Sequence, residues 1–164
     1  MALIVEDGTG LEDAQSYVSL TDATTRMDLL GLTGTLTESA LYIAFQYVNA
    51  KCYEGTPTNP LQSGAFPRSS LWINGAKYPS DKIPQDVIDA QIIVATQSLT
   101  MSLWGTDNGR SIKRNKVDVI EQEFFEGATS GQTISVERAD SLLYRYTCGN
   151  GINGSMLIKP LTVV

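Results

Sequence analysis

The sequence predicts a mainly α protein: a small helical bundle with a β-hairpin insertion and an extended C-terminal tail. Four stretches, 20–30, 37–52, 84–104 and 135–146, repeat apolar residues at helical spacing behind recognisable start signals. Between the second and third, Asn74-Gly75 separates two short strand-forming runs, and Asn-Gly is the favoured two-residue turn of a tight hairpin. After Asn153-Gly154 the chain is apolar and β-capable, with Pro160 inside it. These features divide the chain into one helical domain over 1–154, with a hairpin connection at 53–83, and an interaction tail over 155–164.

Leu3-Ile4-Val5 reads as a short strand, and Glu6-Asp7-Gly8-Thr9-Gly10 as the turn after it, where Asp7 bonds its own backbone. Gly8-Thr9-Gly10 lacks the Lys-Ser/Thr pair of a phosphate loop. Ser16-Tyr17-Val18 has the character of a second short strand. Ser19 then caps the first helix, with Asp22 in the place of a capping-box acid. Val18, Ala23, Met27 and Leu30 face inward, and Gly31 closes the element. Thr37 caps the second helix, with Glu38 in its first turn and Leu41, Phe45 and Val48 on one face.

Gly55, Pro57, Pro60, Gly64 and Pro67 are too dense for a regular element to survive between 53 and 67. A connection this long between helices is where an interaction surface is expected. Arg68 is expected to anchor it to a carboxylate or carbonyl, in its own subunit or the next. Trp72 reads equally as an interface anchor and as a lid over the helices.

The central helix starts hard. Pro84 suits the first helical position, and Ile83 before it is pushed towards an extended, capping conformation. Asp86 and Asp89 place negative charge near the positive end of the helix dipole. Beyond Gln91 the apolar arc covers most of the circumference, so other elements surround this helix. Gly105 is placed to stop it. Residues 112–125 have strand character with imperfect alternation, and Ser135 caps the last helix.

The composition excludes several function classes. Apolar residues make up 42% and charged residues 18%, which is globular and too apolar for disorder. The net charge of −6 lacks the basic footprint of a DNA-coating protein, yet suits a passage through which DNA must slide. With no histidine there is neither a Ser-His-Asp nor a Cys-His pair, and the 18 acids are scattered. The expectation is therefore no enzyme, no catalytic residue, no cofactor and no metal site. No run approaches the length of a membrane-spanning helix, and the first residues lack the basic start of a signal peptide, which points to synthesis in a cytoplasm. On those compartment grounds Cys52 and Cys148 read as buried small apolar residues rather than a disulfide.

Arg110, Lys113, Arg114 and Lys116 form a local basic cluster with acids on both sides. It reads as a solvated strand or loop, or as a contact with passing DNA or an acidic partner; the stacking aromatics of a single-strand binder are missing. The apolar tail needs a sheet edge to complete, its own or a partner's.

Val5-Glu6-Asp7-Gly8-Thr9-Gly10, Ala14 with Ser16-Tyr17-Val18, Phe66-Pro67-Arg68, and Tyr78-Pro79-Ser80-Asp81-Lys82-Ile83-Pro84 with Val87 and Ala90-Gln91 occur in this order. The set resembles small tailed-phage proteins labelled DnaT-like single-stranded-DNA-binding, similar in layout to head–tail connector (head-completion adaptor) subunits. Phe66 departs from the tryptophan expected before Pro-Arg, and the likeness covers roughly 1–104. The label implies single-strand binding. The connector resemblance implies a ring, commonly of twelve copies, beneath a portal protein in the virion neck. It joins head to tail beside a tail-side neck or tail-terminator protein, with double-stranded DNA passing unread through the lumen and no membrane partner. The acidic, mainly helical chain favours the connector. The tail is then expected to leave the domain and dock on the portal or an adjacent subunit through Met156, Leu157, Ile158 and Leu161, with Arg68 and Trp72 as further contact residues.

Overall fold

A computed structural model describes residues 3–101, 103, 115–117, 120–122 and 136–148. The fold is mainly helical. Its elements are α1 (Leu20–Leu29), α2 (Glu38–Asn49), β1 (Thr56–Pro57), β2 (Arg68–Ser69), β3 (Trp72–Ile73), β4 (Ala76–Lys77), α3 (Gln85–Ser98), β5 (Asn115–Val117), β6 (Ile120–Gln122) and α4 (Glu137–Leu143). A 3-10 turn, Tyr144–Tyr146, extends α4. The strands form three separate antiparallel pairs, β1–β2, β3–β4 and β5–β6.

The centre is α3, which packs against α2, α4 and α1. Val87, Ala90, Ile92, Val94 and Ala95 are fully buried along it, as expected of a helix apolar on most sides. Its ends differ from the sequence reading. Pro84 is the N-cap and Gln85 the first helical residue, because Pro84 keeps ψ at 138° while its carbonyl already accepts from Val87. The helix stops at Ser98, short of residue 104. At its end the Thr96 and Ser98 hydroxyls, and that of Thr100 just beyond, bond the carbonyls of Ile92, Ala95 and Gln97, competing with the helical ladder. Gly105 lies outside the described residues.

The other helix starts follow local chemistry. The Ser19 hydroxyl accepts from the Asp22 N–H at 3.1 Å and donates to its carboxylate at 2.6 Å. The Thr37 hydroxyl accepts from the Ala40 N–H. Ala23 and Met27 are buried in α1, and Leu41, Phe45 and Val48 in α2. The start of α4 is different. Its N-cap is Val136, with no side-chain cap of its own, and Ser135 lies outside the described residues. The Tyr47 hydroxyl, from α2, accepts from the Val136 N–H at 3.0 Å and donates to Asp140 at 2.9 Å, so a distant residue caps this helix.

Two polar knots shape the N-terminal segment, and the second ties it to the bundle. Buried Glu6 accepts from the N–H groups of Gly8, Gly10 and Leu11, so one carboxylate holds the whole turn. The fully buried Gln91 carboxamide is the second. It accepts from the Tyr17 N–H at 3.0 Å and donates to the Ser16 hydroxyl and the Leu41 carbonyl, both at 2.9 Å. The expected N-terminal strands reduce to one parallel bridge, Val5 to Ser16.

Three further expectations are corrected. Cys52 and Cys148 are exposed, not buried, and they form a disulfide with Cα atoms 5.4 Å apart. The Tyr53–Thr147 bridge and the bonds Cys148 N–H to Cys52 O and Glu54 N–H to Tyr146 O lay residues 52–54 antiparallel to 146–148, which brings the sulfurs together. The breaker-rich connection holds one short strand after all, Thr56–Pro57, paired with Arg68–Ser69 at its far end. The stretch read as a single strand at 112–125 is a hairpin, with Val117 opposite Ile120.

Replacing Gln91 by leucine keeps the volume but orphans the buried Tyr17 N–H, while the Leu41 carbonyl retains its place in the α2 ladder. Urea unfolding is expected to show a loss of about 2 kcal/mol, the cost of one unpaired buried N–H together with the lost bonds to Ser16 and Leu41. A loss below about 0.5 kcal/mol, ordinary for a surface change, contradicts the assignment of Gln91 as the tie between segments.

Candidate functional site

The connection between α2 and α3 leaves the core, turns back, and ends in the β3–β4 hairpin. Its base is built on Arg68. The guanidinium donates Nε to the Glu54 carbonyl at 2.7 Å, Nη1 to Ala65 at 3.0 Å, and Nη2 to Tyr53 at 3.1 Å and Gly55 at 2.8 Å. Four carbonyls from both arms of the loop thus converge on one rigid fork. Burial pulls this guanidinium below its ordinary pKa, as the nearby carbonyls carry no full charge to offset desolvation. The anchoring expected of Arg68 is therefore made to carbonyls of its own chain. Gly55 is required beside it: its φ is +76°, and a Cβ would stand 2.4 Å from the Ser69 carbonyl oxygen.

An aromatic plug lies beneath. Phe66 is fully buried, with ring centroids 4.8 Å from Tyr53, 6.1 Å from Tyr146 and 6.3 Å from Tyr17. Burial raises the pKa of all three tyrosines. Each hydroxyl has a partner: Tyr17 donates to Asn49 and accepts from the Phe66 N–H, Tyr53 donates to the Val48 carbonyl, and Tyr146 donates to Asp86. Tyr53 and Phe66 thereby fasten the base of the loop to the core.

The hairpin above it is exposed. Asn74 and Gly75 both have positive φ, 52° and 77°, the turn that Asn-Gly favours. Trp72 is 49% exposed, so it is no lid over the helices. The register sets it opposite Lys77, which places both side chains on one face of the hairpin.

Most cations of the described body are engaged internally. Arg26 grips Asp89 with two bonds of 2.8 and 2.9 Å. Burial works to raise the Asp89 carboxyl, but the bonds from Arg26 and Gln85 outweigh it and hold the group below the usual carboxylate range. Lys51 pairs with Asp140 at 2.7 Å, Arg145 stands 3.5 Å from Asp86, and Arg138 donates to the Leu30 carbonyl. Lys77 and Lys82 are exposed, and neither pairs with a carboxylate among the described residues. Among the described residues no three His, Cys, Asp or Glu side chains stand close enough to hold a metal ion.

Of the other residues singled out by sequence, Lys116 lies in β5, where the register sets it opposite Glu121. Arg110, Lys113, Arg114, Met156, Leu157, Ile158 and Leu161 lie outside the described residues. The sequence reading missed Glu6 and Gln91. Both carried a signal: a carboxylate directly before a glycine-rich turn, and a neutral amide in the middle of an apolar helix.

The family described as "Putative DnaT-like ssDNA binding protein" matches residues 1–158. The chain matches no curated protein and no solved structure.

Arg68→Ala is expected to lower stability by about 2–3 kcal/mol, since four carbonyls lose a charged donor. Arg68→Lys should recover less than half of this, because a single ammonium cannot reproduce the fork. Thermal or urea unfolding checks both, and an unchanged midpoint for the alanine variant contradicts the anchoring role.

Proposed function

The chain belongs to this DnaT-like family, and from that premise we propose that it is a structural subunit of the head–tail connector of a tailed phage. In this reading copies of the chain form a ring, of about twelve as the resemblance implies, beneath the portal protein. A tail-side neck or tail-terminator protein follows, and double-stranded DNA passes through the lumen without sequence-specific contact. The chain is made in the host cytoplasm and resides in the virion neck. It performs no catalysis.

One observation carries the reading: the described arginines bind the chain's own carbonyls and carboxylates. A protein that tracks a phosphate backbone needs a row of cations facing out, with aromatic platforms between them. Here Lys77 and Lys82 are the exposed cations with no partner among the described residues, and exposed acids such as Glu12, Asp13, Asp22, Asp28 and Asp81 outnumber them. That surface suits DNA that must move without sticking. The rigid, projecting hairpin suits contact with protein.

A second reading, single-strand binding, is favoured by the description of the matched family. Gel shifts with single-stranded oligonucleotides over a salt series separate the two. A connector should show little retardation at physiological salt and only weak, steeply salt-dependent retardation below it. Tight binding that survives physiological salt overturns the connector. Sedimentation of the purified chain alone should show a monomer, because the ring forms on its portal template; stable large rings without portal contradict that part.

A further inference from the structure

Resting on the connector reading, we propose that the β3–β4 hairpin docks into a groove on the next copy of this chain, with Trp72 as the anchor and Lys77 as the charged partner. The groove lies between α2 and the N-terminal segment, has a volume of about 570 Å³, and is lined by Asp13, Gln15, Tyr42, Gln46 and Asn49 over a floor of Phe45. That volume falls within the ~300–1,000 Å³ range of sites that enclose a drug-sized ligand, so it admits an indole with the residues around it.

Chemistry pairs the two surfaces. Trp72 and Tyr42 are both large and exposed, at 49% and 42%, and such residues gain most when an interface covers them. The groove offers side-chain amides of Gln15 and Gln46 to the polar edge of an indole. Its charge is acidic, with Asp13 in the lining and exposed Glu12 beside it in sequence. The hairpin carries the complementary sign, because Lys77 shares a face with Trp72 and has no carboxylate partner within its own chain among the described residues. The hairpin is already fixed by its two-residue turn and by Arg68 below it, so little ordering entropy opposes docking.

The contact is directional. Hairpin and groove share no residues, so it joins different surfaces of two copies, head to tail. Contacts of this type propagate into a ring when the rotation closes and into a filament when it does not. Exposed charges and one anchor make a weak pairwise contact, which agrees with a monomer in dilute solution and a ring only where a template collects the copies.

The test places a photo-reactive benzoylphenylalanine at position 72 in the full chain, irradiates it at the highest soluble concentration, and maps the products by peptide mass spectrometry. The expected result is an intermolecular adduct to residues 13–15 or 42–50. Lys77→Glu should lower its yield by about fivefold, the size of one exposed charge pair, and adding Asp13→Lys to the same chain should restore it. Circular dichroism of each variant should be unchanged. No intermolecular adduct, an adduct mapped elsewhere, or a yield indifferent to both charge changes overturns the proposal. So does preferential cross-linking to a single-stranded oligonucleotide, which would assign the hairpin to nucleic acid. If rings assemble on purified portal without the mapped adduct, the docking fails and the connector stands; if the adduct forms but no ring assembles on portal, the reverse holds.

Discussion

The Gln91 carboxamide is held on one side by the backbone of the N-terminal segment and on the other by the backbone of α2, in the most apolar part of the molecule. A buried amide is costly unless every donor and acceptor is paired, so its position is set more sharply than that of any apolar neighbour. Once Gln91 is bonded, the Tyr17 backbone lies against α3, and the Tyr17 ring reaches the end of α2 and the loop at Phe66. The loop is then shaped by Arg68, and the hairpin projects from it. One amide near the middle of a helix thereby governs what the outer surface presents.

The same economy of polar groups explains the exterior. Asp86 and Asp89, placed at the start of α3 where the helix dipole favours them, also bind Tyr146 and Arg26 from other elements. Tyr47 replaces a missing cap on α4. Among the described residues, cations drawn inward as structural donors leave exposed acids in the majority, with Lys77 and Trp72 together on one face of the exposed hairpin. Over these residues, a surface so divided disfavours nucleic acid and sets a lysine beside an exposed tryptophan on the hairpin, which suits the proposed role as a subunit of a DNA conduit.

Much of this fold was legible because its signals are local. Ser19, Thr37 and Asn74-Gly75 act on groups within a few residues of themselves, and all three behave as their chemistry dictates. Apolar spacing located the buried faces of α1, α2 and α3 for the same reason. What escaped depends on residues far apart in the chain. The pairing of Cys52 with Cys148 follows from a bridge between segments 96 residues apart, and reading the compartment before the geometry pointed the wrong way. The early end of α3 arises from hydroxyls whose competition for carbonyls is invisible in an apolar count. Phe66, noted only as a departure from tryptophan, is the centre of an aromatic cluster drawn from three parts of the chain.

The proposal that this acidic, hairpin-bearing chain builds the neck of a virion is tested most directly by electron cryomicroscopy of complete tailed-phage particles assembled with this chain present. The account predicts a closed ring of this chain between portal and tail, with the fold described above fitting each subunit. Particles whose neck is complete without this chain would contradict it.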